Sequence, residues 1–185
     1  ICVRDICVRD VGAREPKECP HDARSLRMGI AWQSGEWNSA RSIPRSLINR
    51  FAAVPNTHWC SLQYDALCPF DAQQMACEDI RTMAERMTQL DLVISADTMT
   101  AHLAGAIGLP VWLLLQHDCD WRWMSDSAIA KRGLTPWYPT MRLFRQPSPG
   151  DWDSVVEQVL AALTARAQLI RARDIHSAGC TEFSG

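Results

Sequence analysis

Residues 90–115 read LDLVISADTMTAHLAGAIGLPVWLLL. LDLVISAD is a short apolar strand closed by Asp97, and VWLLL (Val111–Leu115) is a second one. Between them Thr98 stands where a hydroxyl can cap a short helix, TMTAHLAGAI, which Gly108 ends and Pro110 prevents from continuing. Both strands are apolar at successive positions, so both of their faces require cover. That is the pattern of parallel strands, whose long crossovers place helices over the sheet.

The same rhythm extends in both directions. Upstream, LRMGIAW (residues 26–32) reads as a buried strand. The loop QSGEWNSAR follows, then a helix with Ser42 as N-cap, Pro44 just inside it, and Ile43, Leu47, Ile48 and Phe51 on one face. THWCSLQ (residues 57–63) is the next strand. A long amphipathic helix is predicted from Ala72, Met75, Ala76, Ile80, Met83, Met87 and Leu90, which recur at steps of three and four. Downstream, an aromatic-rich loop leads to a short strand, Met141–Arg145. Gly150 and Asp151 then introduce a final helix with Val155, Val156, Val159, Leu160, Leu163 and Ile170 on its apolar face. Alternating strands and helices give an α/β class, a Rossmann-like parallel sheet with helices on both faces. Ligands of such sheets bind in the crevice beyond the carboxyl ends of the strands. The domain is assigned to residues 26–173, preceded by a linker or extension (1–25) and followed by a polar tail (174–185).

Composition bounds the function. The chain has 185 residues, 47% hydrophobic and 22% charged, which suits one globular domain. Nineteen basic and 21 acidic residues leave a net charge of −2, so no basic platform for nucleic acid is present. No apolar run reaches the roughly 18 residues of a membrane span. The eight cysteines contain no C-x-x-C and no zinc-type Cys/His cluster. With a core of this size they read as reduced thiols in a cytoplasmic protein rather than a disulfide framework. The start, ICVRDICVRD, has neither an initiating Met nor the apolar region of a signal peptide, and the chain reads as a fragment or processed product. The duplicated ICVRD is too short for a solenoid repeat, and we have no physical account of it.

Three loops follow strand ends and so face the crevice. In residues 33–41, Ser34 and Gly35 permit a tight bend whose amides can face an anion, and Arg41 brings a guanidinium near a helix start. The alternative is a surface loop with a solvated arginine. In residues 97–102, Asp97 ends a strand, Thr98 opens a helix, and His102 returns to the same helix face one turn later. Such a set can hold sugar hydroxyls and a phosphate; equally, Asp97 can cap the helix while His102 is packed. In residues 116–139, Trp121, Trp123, Trp137 and Tyr138 can wall a pocket or anchor the core under a long loop. Asp118 and Asp120 form a D-x-D tripeptide, which on its own is weak evidence for a metal, and no metal is expected.

Taken together, LRMGIAWQSG…RSIP, WCSLQ, LDLVISADTMTAHLAGAIGLPVWLLL, DWRW and PWYPTMRLFRQPSPGDWDSVV resemble the C-terminal half of family 9 glycosyltransferases. The similarity runs over about residues 26–163. It points to the tetratricopeptide-repeat proteins that carry this domain, related to ADP-heptose:lipopolysaccharide heptosyltransferases. The resemblance implies a GT-B architecture whose C-terminal half holds the nucleotide-sugar donor for inverting transfer, with heptose one candidate sugar, to a glycan or protein acceptor. It matches Asp97, Thr98 and His102 to the family's D-[ST]-G-x-x-H motif. It puts Ser34, Gly35 and Arg41 at the phosphate loop, and Gln63 on the nucleoside side. No catalytic residue is assigned. Met99 stands where the motif has Gly, adding bulk beside the expected diphosphate. The half that would supply acceptor surface and general base is not in this chain, so weak donor binding and little or no turnover are expected of it alone. Two other readings stay open: a non-catalytic binding module of the same fold, and a GT-B sugar-nucleotide epimerase.

Overall fold

The computed structural model describes residues 25–123, 129 and 132–179. The ICVRD duplication, Cys2, Cys7, Cys19, Cys180 and the side chain of Ile170 lie outside the described residues.

Six strands form one sheet: β1 (Leu26–Ala31), β2 (Thr57–Ser61), β3 (Gln73–Gln74), β4 (Leu92–Ala96), β5 (Val111–Leu115) and β6 (Met141–Arg145). Their order is β3-β2-β1-β4-β5-β6, and every neighbouring pair is parallel. The α-helices among the described residues include α1 (Arg45–Ile48), α2 (Ile80–Met87), α3 (Met99–Ala106) and α4 (Trp152–Gly179).

Alternation along the strands divides the core between two faces, since successive side chains point opposite ways. Met28, Ile30, Leu92, Ile94, Trp112, Leu114 and Phe144 meet Ile48 of α1, Phe51, and Val155, Val156, Val159 and Leu163 of α4. Val93, Val111, Leu113, Leu115, Met141 and Leu143 meet Met83 and Met87 of α2 and Ala101 and Ala104 of α3. The Rossmann-like α/β class with helices on both faces is thus the observed fold. β4 and β5 are buried at every position, which explains why their text carries no polar alternation.

Local corrections concern helix starts. The predicted helix over residues 72–90 is confined to Ile80–Met87, with Gln73–Gln74 paired instead to β2. Asp79 sets the start: its carboxylate accepts the Thr82 amide at 2.7 Å, capping a first turn that residues 72–78 therefore cannot share. Ser42 is not an N-cap. Pro44 holds that position with ψ at 134°, and Ile43 before it is biased to extended backbone. Thr98 does occupy the N-cap of α3 but caps nothing with its side chain; its hydroxyl lies 3.3 Å from Ser95 Oγ. At the other end of α3, Gly108 has φ +80°, its amide donates to Gly105 O, and the Leu109 amide donates to Ala104 O. These are the paired bonds of a Schellman stop. Helix α4 runs past residue 173, the expected domain end, to Gly179.

Among the described residues, no helix is long and apolar enough to cross a membrane, and Cys60, Cys68, Cys77 and Cys119 are free thiols.

Candidate functional site

The strand order creates the site. The chain moves outward from β1 to β2 and β3, then returns to lay β4 on the other side of β1. The loops leaving β1 and β4 consequently diverge, and a crevice opens between them at this switch point. A cleft of about 500 Å³ lies there. Its lining includes all seven residues singled out in the sequence: Ser34, Gly35, Arg41, Gln63, Asp97, Thr98 and His102.

Asp97 is the hub. It is only 4% exposed, at the end of β4. The Arg41 guanidinium donates through Nη1 to the Asp97 main-chain oxygen at 2.9 Å, with the same nitrogen 3.9 Å from Oδ2. On the other side His102 Nε2 stands 3.8 Å from Oδ1. The Arg41 cation and the His102 ring thus flank one buried carboxylate, and the guanidinium offsets its charge without sealing it from the cleft. Beside it, α3 begins. The first amides of a helix have no intrahelical acceptor, and no Thr98 side-chain bond covers them. Met99, 55% exposed, also lines the cleft.

The imidazole of His102 is half-buried. Desolvation pushes its pKa below the ordinary histidine value, with Arg122 adding to this and Asp97 and Asp120 opposing it. Its Nδ1 lies 3.0 Å from the Tyr138 hydroxyl, and its ring stacks on Trp123 with centroids 5.4 Å apart.

The other expected residues line the cleft with part of their polar capacity already committed. Gln63 Oε1 accepts the amides of Trp32 and Gln33 at 3.2 and 3.0 Å, and its Nε2 donates to Asp65 at 2.8 Å. It shapes the loop after β1. The Ser34 amide donates to Ser42 Oγ, and the Ser34 hydroxyl donates to the Asn38 carbonyl. Gly35, exposed at the cleft, begins the turn Glu36–Arg41 with φ −60°, so no left-handed backbone is involved.

Some lining residues were not singled out in the sequence, among them Gln33, Tyr64, Cys77 and Arg122. Arg122 belongs to the DWRW segment, where it pairs with Asp120 at 3.2 Å; it lines the cleft next to Trp123, which stacks on His102 of α3. The four aromatics of that loop divide. Trp123 is buried and Tyr138 half-buried against His102, whereas Trp121 and Trp137 are 75% and 54% exposed. Asp118 faces His117 at 2.8 Å, and among the described residues no three His, Cys, Asp or Glu side chains cluster as a metal site would require.

No family model matches the sequence. The chain is 25% identical over 154 residues to Protein FlbA of Caulobacter vibrioides, covering 74% of this chain and 25% of FlbA. Its fold is similar to that of E. coli ADP-heptose lps heptosyltransferase II, with a TM-score of 0.53 and 14% identity, over 80% of this chain and 49% of that one. The chain therefore spans about a quarter and a half, respectively, of the lengths of these two proteins. At that identity the structural likeness establishes a glycosyltransferase-like fold.

Proposed function

We propose that this chain is the nucleotide-sugar-binding half of an inverting GT-B glycosyltransferase of the family 9 type, carried in a longer, tetratricopeptide-containing cytoplasmic protein. The observation that carries the reading is the meeting of Arg41, Asp97, Thr98 and His102, from two separate loops, around one cleft at the sheet's switch point.

In this reading the donor's diphosphate lies over the start of α3, where amide groups and the helix dipole favour negative charge. Arg41 stands alongside as the fixed cation. Asp97, an acceptor, takes sugar hydroxyls, and His102 Nε2–H offers a further donor to a phosphate or sugar oxygen. As the anomeric bond breaks, charge accumulates on the departing diphosphate, and donors already in place stabilise it without reorganising. No metal enters the scheme. A glycan or protein acceptor, and the base that deprotonates its hydroxyl, belong to the part of the longer protein that this chain does not span. Heptose is the candidate sugar, and the free thiols suit a reducing compartment.

A second reading, a non-catalytic binding module, draws on Met99, whose exposed side chain stands beside the first amides of α3. Titration calorimetry with ADP- and UDP-sugars separates the two. The donor-binding reading expects saturable binding that Arg41→Ala and Asp97→Ala each weaken by about tenfold or more. A folded chain that binds no nucleotide sugar overturns it.

A further inference from the structure

His102 is gripped from behind by groups that do not line the cleft. The Tyr138 hydroxyl stands 3.0 Å from Nδ1, and Trp123 stacks on the ring face at an interplanar angle of 23°. The Tyr138 ring meets the imidazole edge-on, with centroids 5.8 Å apart. Trp123 is itself pinned by Arg145, which donates through Nη2 to its carbonyl at 3.2 Å.

The proton arrangement follows from charge. Nε2 faces the Asp97 carboxylate, which favours a proton on that nitrogen. Nδ1 of the neutral ring is then a bare acceptor, and the Tyr138 hydroxyl is its donor. Burial keeps the ring neutral down to a lower pH than an exposed histidine, so the choice of tautomer decides whether Nε2 donates or accepts.

Gly105 explains how a tyrosine reaches this position. It lies one helical turn beyond His102 on the same face of α3. A Cβ placed on Gly105 would stand 2.7 Å from both Cγ and Cδ1 of Tyr138, closer than real side chains approach. The missing side chain lets the phenol lie flat against the helix with its hydroxyl level with Nδ1.

We propose that Tyr138 is a positioning residue for His102, seated by Gly105, that locks the imidazole as the Nε2–H tautomer so that a proton donor faces the cleft beside Asp97. The part of this that concerns ligand affinity rests on the donor-binding reading above; the tautomer lock does not.

The test is made on the full chain, uniformly labelled with ¹⁵N-histidine, by long-range ¹H–¹⁵N correlation, with His102→Gln identifying its signals among the five histidines. The wild type is expected to show His102 Nε2 protonated and Nδ1 as a hydrogen-bonded acceptor. Tyr138→Phe keeps the ring over Gly105 and removes only the donor, so Nδ1 should move to the position of an acceptor without one. A protonated Nδ1 in the wild type, or an Nδ1 signal unmoved in Tyr138→Phe, overturns the proposal. Calorimetry with the ADP- or UDP-sugar that binds the wild type adds a second arm. Tyr138→Phe and Gly105→Ala, neither of which alters a cleft-lining group, should each weaken binding by about tenfold. Unchanged affinity in Tyr138→Phe also counts against the lock. A wild type that shows the expected tautomer but binds no nucleotide sugar defeats the donor-binding reading and leaves the positioning role standing.

Discussion

Arg41 Nη1 donates to the main-chain oxygen of Asp97 across 56 residues of sequence, joining the loop after β1 to the end of β4. Both residues line the crevice at the sheet's switch point. The bond fixes the guanidinium where an anion over the first turn of α3 would find it, with only 14% of the side chain exposed.

Replacing Arg41 separates charge from geometry. Arg41→Ala removes a charge-assisted donor from a largely buried position, a loss of about 1.5–3 kcal/mol. That corresponds to a nucleotide-sugar Kd raised by about 10- to 100-fold. Arg41→Lys keeps the charge but not the planar fork, so it should recover part of the affinity and little of the loop's rigidity. Calorimetry on both variants checks this. Equal, wild-type affinity in the two would remove Arg41 from the binding reading.

His102 gives the stability curve a definite sign. Burial lowers its folded pKa beneath the unfolded value of about 6.5. The unfolded chain therefore takes up a proton first as pH falls. The contribution is complete above about pH 6.5 and is lost as pH drops through the folded value. Thermal melts from about pH 8 down to pH 5 should show Tm falling more for the wild type than for His102→Gln, which has no proton to take up. Parallel curves for the two proteins would contradict the depressed pKa.

The sheet was legible in the sequence because burial on both faces leaves a plain mark. Val111–Leu115 is apolar without interruption and buried throughout. The residues proposed for the site line one cleft for a related reason: they lie on segments that follow strand ends, where the topology gathers loops. What the sequence hid is of two kinds. Ala72, Met75 and Ala76 fit a helical period, yet they belong to an extended segment that pairs β2, and only the Asp79 cap with Thr82 marks the true start. The link from His102 to Tyr138 crosses 36 residues, a separation that no local spacing encodes. Gln63 shows the converse. Its place at the cleft was anticipated, but its amide is engaged with the protein.

Gly108 tests the end of the helix that carries the site. Its φ of +80° lies in the left-handed region, and an added Cβ would meet nothing within 4 Å. The cost of Gly108→Ala is therefore backbone strain alone, about 1–2 kcal/mol. Asn tolerates this region better, so Gly108→Asn should lose less. Urea unfolding measures both. A variant as stable as wild type would mean that the Schellman bonds from Gly108 and Leu109 do not fix this terminus.

Gln63 invites a swap of partners. Its Oε1 serves two main-chain donors, Trp32 N and Gln33 N, while its Nε2 serves Asp65 Oδ1. Gln63→Leu leaves both amides short of an acceptor, a loss on the order of 2 kcal/mol by urea unfolding. Gln63→Glu preserves the acceptor toward the amides but turns the second atom into an oxygen facing Asp65, so two carboxylates oppose each other near a partly buried cleft. Adding Asp65→Asn reverses the polarity of that contact, because the new amide nitrogen can donate where Asp65 accepted. The double variant should therefore regain most of what Gln63→Glu loses. Recovery in the double variant, with Asp65→Asn alone close to wild type, would show that the pair, acting through the loop after β1, holds the cleft wall in place. If Gln63→Glu proves as stable as wild type, the loop owes its shape to other contacts.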